Sequence, residues 1–238
     1  MSKKENAMQE QVFIVAAIKP WNRAVFAEAL PGFAGRWHFV SDPAELTVEL
    51  VKKLKPAMIF FPHWSEKIAD EILQLTECVC FHMTDVPYGR GGSPLQNLIA
   101  AGHQETVVSA LKMTDELDAG PVYMKVPLPL HGLAEEIFIR AARIIAGMVE
   151  TIARNRPVPV PQNGQITRFK RRKPEQSRID ENMAGLQLLF DHIRMLDAED
   201  YPPAFIEYGS YRLEFSRPAL KAGSIISDVK ITLKKDHP

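Results

Sequence analysis

The chain has 238 residues, 46% of them hydrophobic, enough for one large domain or for a main domain with a smaller appendage. Lys plus Arg and Asp plus Glu each count 29, so no global field favours a polyanion and nucleic acid is not an expected partner, although a local basic patch is compatible with this balance. No apolar run approaches the ~20 residues of a bilayer span, and the start, MSKKENAMQEQ, lacks the apolar core of a signal peptide, so the expectation is a cytoplasmic protein with no membrane partner.

In chain order, the run Val12 to Ile18 reads as a buried first strand with Lys19-Pro20-Trp21-Asn22 as its exit loop, followed by a helix from about Arg23 to Leu30. Trp37 to Val40 reads as a second strand. Ser41 or Asp42 is placed to cap the next helix, with Pro43 at its first position, Leu46, Leu50 and Leu54 on its inner face, and Pro56 ending it. Met58 to Phe61 is a third strand that breaks at Pro62-His63-Trp64-Ser65 into a helix from about Glu66 to Leu75. Cys78 to Phe81 is a fourth strand, delivering His82 at its carboxyl end.

A Pro- and Gly-rich loop from Val86 to Pro94 leads to a short helix pattern through Leu95, Leu98 and Ile99. Thr106 to Lys112 is the next strand, and its polar exit loop holds Asp115, Glu116 and Asp118 before Gly120 and Pro121. Strands alternating with helices at this spacing predict crossover units and a Rossmann-like, mostly parallel α/β sheet with ligands bound at the strands' carboxyl ends. Val126 to Leu130 is a further strand candidate. Ala134 to Arg154 is a long helix with Ile137, Ala141, Ile144, Ile145, Met148 and Ile152 near helical spacing.

Pro157, Pro159 and Pro161 mark an extended linker, which sets the expected boundary between a catalytic domain at 1–160 and a small C-terminal α+β, barrel-like subdomain at 161–238. That tail reads as Ile166 to Phe169, the basic run Lys170-Arg171-Arg172-Lys173, a helix from about Met183 to Leu196, and short alternating strands at 205–207, 211–215 and 228–233. Pairing at a sheet edge or through this tail would make a homodimer.

Several residues carry chemistry. An Asp on the loop after one strand beside a His on the loop after its neighbour can orient the imidazole, an arrangement suited to taking a proton from an attacking amine. Taken singly, His82 and Asp118 are ordinary surface or structural residues. The loop Gly89-Arg90-Gly91-Gly92-Ser93-Pro94 reads as an anion-binding helix entry or as a tight turn; it matches neither GxxxxGK[ST] nor GxGxxG. Cys78 and Cys80 share one strand face, a poor arrangement for a disulfide, and Cys80 inside an apolar strand reads as a small hydrophobe rather than a nucleophile. His63, His82, His103 and His131 show no paired-ligand pattern, so no metal is expected. The basic run at 170–173 is followed by Glu175, Asp180 and Glu181 and reads as a solvated strand end, or as a holder for a phosphate or a carboxylate.

With these residues in place, the central segment resembles the folate-dependent formyltransferases, the group that includes methionyl-tRNA formyltransferase, glycinamide ribonucleotide formyltransferase and the sugar-nucleotide N-formyltransferases. The family pattern, roughly NxHPSLLPxYRGAAPIQ and then DxGLDTGP, appears as CFHMTDVPYGRGGSPLQ from Cys80 to Gln96 and DELDAGP from Asp115 to Pro121. The separation of His82 and Asp118 is that of the family's catalytic pair. The segment from Thr167 to Glu175, with Ile179-Asp180, resembles the sugar-modifying branch.

The resemblance implies transfer of a formyl group from 10-formyltetrahydrofolate to a primary amine, in the leading reading that of a nucleotide-linked 4-amino-4,6-dideoxy hexose, a small-molecule partner from polysaccharide biosynthesis. The alternatives are a methionyl-tRNA formyltransferase-like enzyme, and a noncatalytic folate- or nucleotide-sugar-binding protein. His82 is implied to assist proton movement and Asp118 to position it. The family's oxyanion donor is an Asn two residues before the His, and here that position is Cys80, a weaker donor. Three explanations stay open: tolerance of Cys80, substitution by a side chain such as Asn97, or loss of activity. The pterin is implied near Pro62, His63, Trp64 and Ser65 and the loop Thr114, Asp115, Glu116 and Leu117. Arg90, Gly91, Lys19, Trp21 and Asn22 are the implied acceptor-side residues.

Overall fold

Four short runs build the parallel part of the main sheet: β1 (Val12–Ala16), β2 (Arg36–Val40), β3 (Met58–Phe61) and β4 (Cys78–His82). β1 pairs in parallel with β2 and with β3, and β3 pairs in parallel with β4. The structure is a computed structural model and describes residues 10–234, so the polar start at 1–9 lies outside the described residues. Phe13, Ile14, Val15, Met58, Ile59 and Phe60 have no exposed surface, because both faces of these central strands are covered; continuous apolar runs rather than alternation are the signature of that position.

Helices return the chain between the strands, with boundaries set by local chemistry. α1 (Pro20–Ala29) starts earlier than expected because Pro20 serves as a first-turn residue rather than as part of the exit loop. The helix expected from Pro43 is divided: Asp42 caps a 3₁₀ turn at Pro43–Glu45, and Thr47 accepts from Leu50 N at 3.1 Å to start α2 (Val48–Leu54). Lys55, at φ 46°, ends α2. α3 (Asp70–Leu75) starts after Ala69, later than the expected Glu66, with the acidic Asp70 and Glu71 in its first turn.

Beyond β4 come β5 (Arg90–Gly91), α4 (Pro94–Ala100), β6 (Glu105–Lys112), β7 (Val122–Pro129), α5 (Ala134–Asn155), β8 (Arg168–Phe169), α6 (Leu186–Arg194), β9 (Ala204–Tyr208), β10 (Tyr211–Lys221) and β11 (Ser224–Leu233). The main sheet has the order β2-β1-β3-β4-β6-β7. The sheet is mostly parallel, as expected, and β6 is an exception. β6 runs antiparallel to β4, with Val79 opposite Lys112 and His82 opposite Ser109, so β6 leaves the sheet at the amino end of β4 rather than beside His82. The connection through the short α4 reverses the chain, where a full crossover would have kept it parallel.

Two compact units are present among the described residues, and they differ from the expected cut at 160/161: one comprises residues 10–91, 106–128 and 139–168, the other 92–105, 129–138 and 169–234. In the first, the α5 residues Ala141, Ala142, Ile145, Met148, Val149 and Ile152 are buried at helical spacing. Val122 and Val160 exchange both backbone hydrogen bonds, at 2.7 and 2.8 Å, so the Pro-rich segment after α5 is an anchored strand-like return rather than a free linker. In the second, β9, β10 and β11 form an antiparallel sheet with order β11-β10-β9, open rather than barrel-like among the described residues. Within the same unit, Arg194 is buried and spends its guanidinium on Asp191 at 2.5 Å and on the carbonyls of Leu130 and Gly132. No described helix is long and apolar enough to cross a membrane.

Candidate active site

β4 puts Cys78, Cys80 and His82 on one face by strand alternation, and His82 arrives buried at the strand's end. Its Nε2 lies 2.8 Å from the carbonyl of Gly89, and its Nδ1 lies 3.5 Å from Oδ2 of Asp118. A proton on either ring nitrogen therefore has an acceptor within the site. The same Asp118 oxygen accepts from the amide of Gly91 at 2.9 Å. Residues 89 to 91 thus clasp the pair from both sides.

Asp118 gets there by a fold-back. Its loop starts at the far end of β4, but Lys112 N bonds to Pro121 O at 2.9 Å, closing residues 113–120 into a return. Gly120 is required at the neck, because a Cβ there would lie 1.7 Å from the carbonyl oxygen of Lys112. Asp118 takes a left-handed backbone at φ 54°, a conformation that costs a non-glycine residue energy and recurs where surrounding contacts fix a functional side chain.

Gln162 supplies much of that fixing, and nothing in its sequence setting signals it. Its Nε2 donates to the carbonyls of Asp118 and Gly120, both at 2.8 Å, and its Oε1 accepts from Arg90 Nε at 3.1 Å and Nη2 at 2.9 Å. Arg90 is accordingly not displayed to an acceptor. It is buried, and its guanidinium faces Gln162 and, at 3.5 Å, Glu116, which also pairs with Arg168 at 2.6 Å. Among the implied acceptor-side residues, Gly91 stays at the centre through its amide.

Trp21 and Asn22 meet the turn that follows β3. Both are buried at the start of α1, where Asn22 Nδ2 donates to Pro62 O at 3.4 Å and meets His63 Nδ1 at 3.2 Å, and Trp21 Nε1 points at His63 Nδ1 at 3.5 Å. They brace the turn Pro62 to Ser65, the stretch that the resemblance implies for the pterin. Lys19 Nζ lies 5.8 Å from the Trp21 ring. His63 sits at φ 47°, with Nε2 3.4 Å from Met83 Sδ; burial, reinforced by the charge of Lys19, pushes its pKa down to about 4.

Trp64 Nε1 in this turn is buried without a hydrogen-bond partner. A buried donor left open beside a bracing His63 fits a ligand with ring acceptors, such as a pterin. From the second loop, Leu117 stands 68% exposed, an apolar side chain free to cover an aromatic ring, whereas the Glu116 carboxylate is committed to Arg90 and Arg168. Thr114 Oγ1 donates to Glu116 O at 3.2 Å, stiffening the loop, and Asp115 is exposed.

Cys80 is the residue that the resemblance sets at the family's oxyanion-donor position. Like Trp64 and Met113 it packs against the core cluster that includes Ile59, Phe61 and Cys78, and burial followed by the negative charge of Asp118 pushes its pKa up to about 12. At neutral pH the sulfur keeps its proton, which excludes a thiolate nucleophile and leaves a weak S–H donor on the His82 face. Asn97 does not replace the missing amide. Its Nδ2 is spent within the second unit on the carbonyls of Gly92, Ser93 and Lys170, at 3.0, 2.9 and 3.1 Å. The described residues contain no group of three or more His, Cys, Asp or Glu placed to hold a metal ion.

The chain has relatives among known proteins. Residues 174–232 match a family model described as the C-terminal domain of methionyl-tRNA formyltransferase. A solved structure of methionyl-tRNA formyltransferase from Clostridium thermocellum is 47% identical, with a TM-score of 0.91 over 94% of this chain and 100% of that one. The chain belongs to the formyltransferase family.

Among curated formyltransferases, the methionyl-tRNA formyltransferase of Sinorhizobium medicae is 34% identical over 150 residues, which cover 59% of this chain and 47% of that protein. The chain thus spans about half the length of the curated relatives it matches. A 4-N formyltransferase from Francisella tularensis shares the fold alone, at 12% identity and a TM-score of 0.64 over 83% of this chain and 92% of that one. The expectation that nucleic acid is no partner is overturned by these relatives: those that match at 34% and 47% identity carry methionyl-tRNA in their names, although the formal charge here is zero. Net charge sums the whole surface, whereas a polyanion is met by a local arrangement of cations.

Proposed function

We propose that this formyltransferase moves a formyl group from 10-formyltetrahydrofolate to the primary amine of an aminoacyl-tRNA. The single observation that carries the chemistry is the buried His82–Asp118 pair, clasped by Gly89 O and Gly91 N. When bound, 10-formyltetrahydrofolate supplies an electrophilic formyl carbon. The turn Pro62 to Ser65 and the loop Thr114 to Leu117 would hold its pterin, with Trp64 Nε1 as an open donor. His82, held by the Asp118 carboxylate, assists movement of the proton from the attacking amine to the donor nitrogen, which departs as its bond to the formyl carbon breaks and the new C–N bond forms. The Cys80 thiol and nearby backbone amides offer hydrogen bonds to developing negative charge, with the thiol the weaker of these donors.

The acceptor reading rests on the relatives' names and on the match of residues 174–232 to the tRNA enzyme's C-terminal domain. A nucleotide-linked amino sugar is the second reading, favoured by the segment Thr167 to Glu175. Incubation of the purified chain with 10-formyltetrahydrofolate and, in parallel, methionyl-tRNA or a panel of nucleotide-linked amino sugars separates the two by which acceptor gains the mass of one formyl group. Transfer to methionyl-tRNA that declines steeply with salt is the expected result. Transfer only to a sugar would replace the acceptor, and donor binding without transfer to any acceptor would leave a noncatalytic binding protein.

A further inference from the structure

Gln162 lies outside both motif blocks and follows His82 at a long sequence distance, yet it is the residue through which the site closes on itself. Its side-chain amide makes four hydrogen bonds, two donated to Asp118 O and Gly120 O and two accepted from Arg90. An amide has two N–H donors and two carbonyl lone pairs, so its capacity is filled, and reversing it would set donors against Arg90 and an oxygen against two carbonyls. Only one orientation works.

The connection is cyclic. Gly89 and Gly91 hold His82 and Asp118 through their backbone, and Arg90, the residue between them, holds Gln162, which returns to the backbone of Asp118. The segment carrying Gln162 is itself fixed by the double hydrogen bond between Val122 and Val160. Without Gln162, the Asp118 carbonyl loses its donor and the left-handed turn at φ 54° loses a restraint that offsets its strain.

We propose that Gln162 is a positioning residue for formyl transfer, a polar clamp that fixes the Asp118 carboxylate against His82 and gives Arg90 a structural partner instead of a ligand. The proposal rests on the reading of His82 and Asp118 as the catalytic pair. It assigns Gln162 no contact with either substrate. Its loss should therefore act on turnover rather than on binding, since displacement of a reacting group by ~1 Å costs on the order of 100-fold.

Two variants and two readouts test this. Gln162→Ala removes the clamp; Gln162→Glu keeps the length and the acceptor for Arg90 but removes both donors. In each, kcat is expected to fall about 30- to 100-fold with KM for the formyl donor within about 3-fold. Independently of activity, the Gly91 amide, which bonds to Asp118 and not to Gln162, should exchange with solvent at least ~10-fold faster in both variants, while amides of Ile14 and Phe60 in the core keep their native rates. Native kcat or native Gly91 protection in Gln162→Glu would overturn the proposal. If the native chain transfers formyl to no acceptor, the function reading fails by itself, and Gly91 exchange still decides whether Gln162 holds Asp118.

Discussion

His82 and Asp118 meet at one point by two different routes. His82 needs only its own strand: β4 is buried and parallel to β3, and strand alternation sets the direction of the ring. Asp118 stands on a loop that begins at the wrong end of β4 and is carried back by Gly120, by the Lys112–Pro121 hydrogen bond and by Gln162. A residue placed by strand geometry inherits the stability of the core. One placed by a folded-back loop depends on a few polar contacts and on steric room at a single glycine.

Removing the pair itself should have the largest effect. His82→Ala and Asp118→Ala are each expected to lower turnover by at least ~100-fold in steady-state assays, the usual scale for general acid–base groups. Turnover within tenfold of native in either variant would refute the pair. The two routes separate at the next step. Gly120→Ala forces the return loop off the Lys112 carbonyl and should cost about 10- to 100-fold in kcat with only ~1–3 kcal/mol lost in denaturant unfolding, whereas a core change such as Phe60→Ala should cost ~3–5 kcal/mol without a specific loss of turnover in the molecules that remain folded. Equal loss of stability in the two variants would erase the contrast.

A smaller effect concerns His63. Its folded pKa is lowered to about 4, so the unfolded chain, with an ordinary histidine, binds the proton more readily. Stability is full above about pH 6.5 and is lost as pH falls towards 4, by ~1–3 kcal/mol, and His63→Gln should flatten that part of the curve in urea titrations. The smallest signal is chemical. With both thiols pushed up to about 12 by burial, Cys78 and Cys80 should resist alkylation at pH 8 in native protein and react readily in denaturant, as read by mass spectrometry.

The amino-acid sequence by itself determined the strand–helix alternation, the burial of Phe13 to Ala16 and Met58 to Phe61, and the delivery of His82 to a strand's end, because apolar periodicity and turn residues are local signals. It also placed Asp118 and Gly120 in one loop, through the polar run and the turn residues Gly120 and Pro121. Only the tertiary structure decided that β6 runs antiparallel, that Arg90 turns inward to Gln162, that Trp21 and Asn22 brace His63, and that Asn97 has no donor to spare. Strand direction, the orientation of a long polar side chain and the pairing of an amide all depend on partners distant in sequence, and no local pattern encodes such a partner.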